Sequence, residues 1–124
     1  MAKQVASLAT VLSLAVVFLS ATTWAEMGKG AMPLKAAAGS KAEKHLSEGI
    51  EHYEKGHWDV AEKHFSEAAK EDPNSAEAHY DVALVLDKKG DHAGATKHFK
   101  TAYELGKDNP EIQNSEILKK HLKM

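Results

Sequence analysis

The chain has 124 residues and carries sixteen basic residues, every one a lysine, against eighteen acidic ones. One small domain is therefore its ceiling, and without a basic excess or a single arginine it lacks the charge and the planar fork that would recruit nucleic acid. Cysteine is absent, which excludes a disulfide framework and a lipid-attachment cysteine and leaves packing to hold the fold.

Lys3 gives a positive start, and Val5 to Leu19 is apolar or small and uncharged, followed by the polar, small-residue tail Ser20 to Ala25. This is the pattern of a secretory signal peptide over residues 1–25, with Thr23 and Ala25 forming a small-x-small cleavage site. Retention as a membrane anchor is the weaker alternative, because the apolar run falls short of the ~20 residues a spanning helix requires. The mature chain is expected to begin at Glu26, in the periplasm or outside the cell, with no stable membrane insertion. Fifteen lysines and eighteen acidic residues then leave it a net charge of −3, which an acidic membrane surface would not attract.

Residues 26–40 mix Gly, Ala, Lys and one Pro without apolar periodicity and read as a flexible linker. Ser40 with Glu43 has the spacing of a reciprocal capping box, so the ordered domain is expected to begin there.

Offset by 34 residues, the chain matches itself. Ala42, Glu43 and His45 recur as Ala76, Glu77 and His79, and Lys55-Gly56 recurs as Lys89-Gly90. Ala61, Lys63, His64, Phe65 and Ala68 recur as Ala95, Lys97, His98, Phe99 and Ala102, which brings the identities to ten in 34. Apolar periodicity predicts helices at about 41–55, 58–71, 76–89 and 92–105. Gly56 and Gly90 are expected to end the first helix of each repeat with a positive φ, and Asn74 with Glu77 to cap the third helix. Asn109-Pro110-Glu111 starts the 110–124 region, where Ile112 to Leu122 is expected as one solubilising end helix.

These residues resemble the tetratricopeptide repeat family over about 42–109, in two repeats, 42–75 and 76–109. Gly49 and Ala83 match the small residue of the family's first helix, and Gly56 and Gly90 the turn glycine. In the second helix Ala61 and Ala95, Phe65 and Phe99, and Ala68 and Ala102 match its small, aromatic and small positions, and Pro73 matches the closing proline. The resemblance implies an all-α solenoid of four repeat helices with a capping helix, and a protein-binding function. It also exposes departures. Lys107 stands where the second closing proline is expected, and the first helix has His45, Glu48 and His52 where the family buries an aromatic, a leucine and a tyrosine.

In the first helix the apolar stripe is instead Leu46, Ile50 and Tyr53, on the side that faces the family's concave groove. Tyr80, Leu84 and Asp87 are the matching positions one repeat on, with Glu43 and Glu77 at the start of the groove. These eight residues are the expected partner site: an apolar, aromatic groove with an acidic rim, suited to a protein or peptide segment carrying Lys or Arg. The alternative is that the first helix is rotated and Leu46, Ile50 and Tyr53 are ordinary core. The family's clamp for peptide C-termini requires a Lys and an Asn where Leu46 and Ile50, or Tyr80 and Leu84, stand, so binding of a carboxylate tail is not implied.

Eight histidines raise a metal- or pH-responsive alternative. His45, Glu48 and His52 share one helical face and His79 repeats it, a donor set for Zn²⁺ or a similar ion, although the ligands lie a turn or more apart. Trp58 is expected to pack under its turn. No nucleophilic cysteine, phosphate loop or serine elbow is present, so neither an enzyme nor a cofactor is expected. Because repeat arrays normally need about three units to bury a continuous core, self-association is a further possibility.

Overall fold

The computed structural model describes residues 31–124; the expected signal segment and residues 26–30 lie outside them. The described chain folds into six helices: α1 Glu43–Glu54, α2 Trp58–Glu71, α3 Ala76–Lys88, α4 His92–Leu105, α5 Pro110–Gln113 and α6 Glu116–Leu122. α1 packs on α2 and α3 on α4, with α2 against α3 joining the two hairpins and α6 covering α4. This is the all-α tandem array expected from the 34-residue period. Among the described residues no helix is long and apolar enough to cross a membrane.

The two hairpin turns are built alike. His57 N–H donates to His52 O at 2.9 Å and Gly56 N–H to Tyr53 O at 3.0 Å; one repeat on, Asp91 N–H donates to Leu86 O at 2.9 Å and Gly90 N–H to Asp87 O at 3.1 Å. Each satisfies carbonyls that the helix end would otherwise leave free, and each requires the φ of +75° or +89° that Gly56 and Gly90 adopt.

Three expected helix ends differ. Ser40 does not cap α1: the cap position falls to Ala42, which makes no side-chain bond there, and Glu43 instead accepts from Gly39 N–H at 2.7 Å. The turn over 38–42 places Ser40 too early to reach the first free amides. At α3 it is Ser75, not Asn74, whose hydroxyl accepts from Ala78 N–H at 3.1 Å. The end helix is broken in two, because Ser115 leaves the helical conformation and starts α6 as a new cap, accepting from Leu118 N–H. Asn109 caps α5 as expected, accepting from Glu111 and Ile112 N–H with Pro110 in the first turn.

The core centres on Phe65 and Phe99, both fully buried, with Leu46, Leu84, Val85, Ile112 and Leu118 around them. Ala61, Ala68, Ala95 and Ala102 are also fully buried, as helices in close approach demand. At Gly49 a Cβ would fall inside the van der Waals envelope of the Phe65 ring, so in the first repeat even alanine is too large for that crossing.

Residues 31–36 depart most from expectation. They are not a free linker. Pro33 is buried, and Ala31, Leu34 and Ala36 pack against the core. Pro33 and Leu34 find a surface that a composition average over 26–40 conceals, while Met32 stays exposed.

Candidate functional site

The first helices, α1 and α3, present the stripe that the sequence assigns to a groove, and the chain's own residues 31–36 lie across it. Leu34 N–H donates to Asp81 Oδ1 of α3 at 2.6 Å, and Tyr53 of α1 donates its hydroxyl to Ala31 O at 3.4 Å. Asp81 is fully buried and its Oδ2 has no partner among the described residues. Burial pushes its carboxyl well above the usual carboxylate range, Glu77 adds to the shift, and the Leu34 N–H opposes it. The Tyr53 phenol is pushed up to about 12, first by burial and then by the nearby charges of Asp81 and Asp87, so it stays a donor.

Leu46, Tyr53, Tyr80 and Leu84 are all buried, and Ile50 is partly buried against the same cluster. Tyr80 stacks edge-on against Phe99 with centroids 5.5 Å apart, and its hydroxyl shares a 2.7 Å hydrogen bond with Ser115 at the start of α6. Tyr53 meets Trp58 edge-on at 5.0 Å, and Trp58, half-buried after its turn, also lies 5.9 Å below the Lys88 ammonium. Leu46 and Leu84 thus lie in the core, while residues 31–36 meet Tyr53 and Asp81 and the start of α6 meets Tyr80.

Of the expected acidic rim, Glu43 is exposed and engages Gly39, while Glu77 accepts from the Asn109 amide at 3.1 Å. Asp87 Oδ1 accepts from His92 Nδ1 at 2.8 Å and His121 Nε2 at 2.9 Å. Burial works against its ionisation, but the two histidine bonds overcome that and hold the carboxyl below its ordinary range. Glu77 and Asp87 therefore tie the end helices down. Sequence reasoning missed Asp81, whose counterpart in the first repeat is Ser47 and whose only signal was a carboxylate amid the apolar run from Tyr80 to Leu86.

The histidines form a second constellation. His45 and Glu48 converge with His64 of α2: His64 Nδ1 lies 3.1 Å and His45 Nδ1 3.7 Å from Glu48 Oε2, and the two Nδ1 atoms are 3.5 Å apart. His52 is not part of this triangle; it stacks flat on His64 at 5.6 Å and faces His57. His79 is far along the array, paired with His98. His64 was legible only as a histidine repeated at His98, because nothing within one helix reveals what crosses it 19 residues later.

Two stacked helical hairpins with small residues at their crossings, turn glycines at positive φ and a terminal capping helix define an α-solenoid of helix-turn-helix repeats. The tetratricopeptide repeat family model matches residues 46–110, and the chain belongs to that family. No curated protein sequence matches it. The family is one of protein-interaction scaffolds and is generally non-enzymatic.

Proposed function

We propose that the chain is an exported interaction scaffold that takes an extended peptide segment across the first helices of its two repeats. The reading of export rests on the signal pattern of residues 1–25, with cleavage after Ala25 and a periplasmic or extracellular destination. Binding across α1 and α3 is supported above all by the hydrogen bond from Leu34 N–H to Asp81: an extended backbone, not a helix, lies on the stripe and is recognised through its main chain. Residues 31–36 occupy in cis the place that a partner segment of similar pattern, a small residue or methionine before Pro-Leu, takes in trans.

The test is a labelled peptide with the sequence of residues 31–36, titrated by fluorescence anisotropy into the wild type and into Leu34→Asp, whose own segment can no longer lie on the stripe. Saturable binding to the variant and at least tenfold weaker binding to the wild type is the expected outcome. Binding to neither, with the helical content of both intact, eliminates the stripe as a peptide site. Export is tested separately by the N-terminal mass of the protein recovered from outside the cytoplasm, expected to begin at Glu26.

A further inference from the structure

We infer that His45, Glu48 and His64 form a binding site for a divalent transition ion of the Zn²⁺ type, clamping α1 to α2 in the first repeat. The donor atoms Nδ1, Oε2 and Nδ1 form a triangle with edges of 3.1, 3.5 and 3.7 Å. A tetrahedral ion with bonds of about 2.0–2.1 Å holds its ligands about 3.3–3.4 Å apart, so each edge of the triangle is within about 0.4 Å of one face of that tetrahedron. Two imidazoles and a carboxylate are a donor set that suits zinc and its neighbours.

The surroundings orient the ligands. His45 Nε2 lies 3.4 Å from Glu71 Oε1, a carboxylate placed to hold the Nε2 proton when an ion takes Nδ1. One carboxylate oxygen and two imidazole nitrogens thus converge on one point, which is a cation's environment. The side chains of His45 and His64 are about one-quarter exposed and that of Glu48 40 %, so an ion reaches the triangle and water completes its fourth position.

The molecule contains its own control. In the second repeat His79 and His98 reproduce the histidine pair, with Nδ1 atoms 3.2 Å apart, but Val82 stands where Glu48 does. There the His79 Nε2 proton goes to Pro73 O at 2.9 Å, and the pair is complete as a neutral hydrogen bond with no third ligand. A second three-ligand cluster, Asp87, His92 and His121, is less suited. Its contacts of 2.8 and 2.9 Å are those of closed hydrogen bonds, and Lys120 lines the same hollow. The first repeat also has the greater use for an ion, since its histidine-rich seam replaces the apolar residues that would otherwise join α1 to α2, and an ion bound only by the folded state stabilises that state.

The experiment is isothermal titration of the purified full chain with Zn²⁺, repeated with Co²⁺ for its visible absorption. One saturating equivalent is expected, with a melting temperature that rises with Zn²⁺ concentration. Glu48→Gln and His64→Asn should each lower the affinity at least tenfold and abolish the cobalt absorption, whereas His52→Gln and His92→Asn should leave both within twofold. Glu48→Gln is nearly isosteric at a part-exposed position, and its circular dichroism without metal should match that of the wild type. In the unmodified chain, the imidazole NMR signals of His45 and His64 should shift with zinc while those of His79 and His98 do not. The absence of saturable binding by the full chain, binding that survives Glu48→Gln and His64→Asn together, or zinc shifts centred on His92 and His121 would each overturn the site.

Discussion

The main-chain N–H of Leu34 and the buried carboxylate of Asp81, 47 residues apart, meet at 2.6 Å. The bond joins a non-helical segment to the middle of α3, and among the described residues it is the one hydrogen bond of the Asp81 side chain, whose other oxygen lies buried without a partner there.

Asp81 sets a pH dependence of stability. Its folded-state pKa is raised above the unfolded value of about 3.9, so between the two the folded chain binds more protons than the unfolded one. That contribution to stability is fully present below pH ~4 and is lost as pH rises through the raised folded value. Glu77 on the same helix adds negative charge near Asp81, which strengthens the trend. Asp81→Asn, which keeps an acceptor for Leu34, should flatten this part of the profile and raise the neutral-pH Tm by several degrees, on the scale of ~4–8 °C per kcal/mol. Thermal melts from pH 3.5 to 7.5 check it, and parallel wild-type and variant profiles would sink the assignment.

Residues 31–36 belong to the domain. A chain beginning at Ser40 should be destabilised by about 1–3 kcal/mol, the scale of exposing Leu34, Pro33 and the surface they cover on α1 and α3. Urea unfolding monitored by circular dichroism measures this, and an unchanged midpoint would show that the segment contributes nothing.

The helix crossings tolerate no added volume. Ala95→Leu should cost about 1–3 kcal/mol, because extra methylenes are forced between α3 and α4 where Ala95 is fully buried. Gly49→Ala should also destabilise, by about 1 kcal/mol net, although alanine favours a helix by about that much over glycine, since the Phe65 ring must move. A Gly49→Ala variant that melts higher than the wild type would contradict the packing described.

Ser115 holds the end of the array twice, as the cap of α6 and as the partner of Tyr80. Ser115→Ala should cost about 1–2 kcal/mol, and Tyr80→Phe, which removes the shared bond alone, about 1 kcal/mol. In a double-mutant cycle the two losses should be sub-additive, because one hydrogen bond is common to both. Full additivity would mean that the bond contributes nothing.

Much of the fold was legible because it rests on local rules. Glycines that take positive φ, alanines spaced for a close crossing and one buried phenylalanine per second helix are demands of backbone and volume that a residue meets wherever it sits, so Gly56, Gly90, Ala61 and Phe65 declared the repeat before any contact was known. The capping residues were less legible, because Ser40 and Ser75 are equally good acceptors and only the path of the chain decides which reaches a free amide.

From its sequence alone, this protein is a two-repeat helical array with an apolar stripe on its first helices and an unusual load of histidine between them. Only the tertiary structure decided that the stripe is buried with residues 31–36 bonded to Tyr53 and Asp81, that Glu77 and Asp87 face inward to partners on the end helices, and that His64, not His52, completes the triangle with His45 and Glu48. The physical reason is the same in all three cases. Periodicity reports which residues share a face of one helix, whereas exposure, protonation and ligation depend on what a neighbouring segment brings to that face, and the neighbours here lie 16 to 47 residues away in the chain.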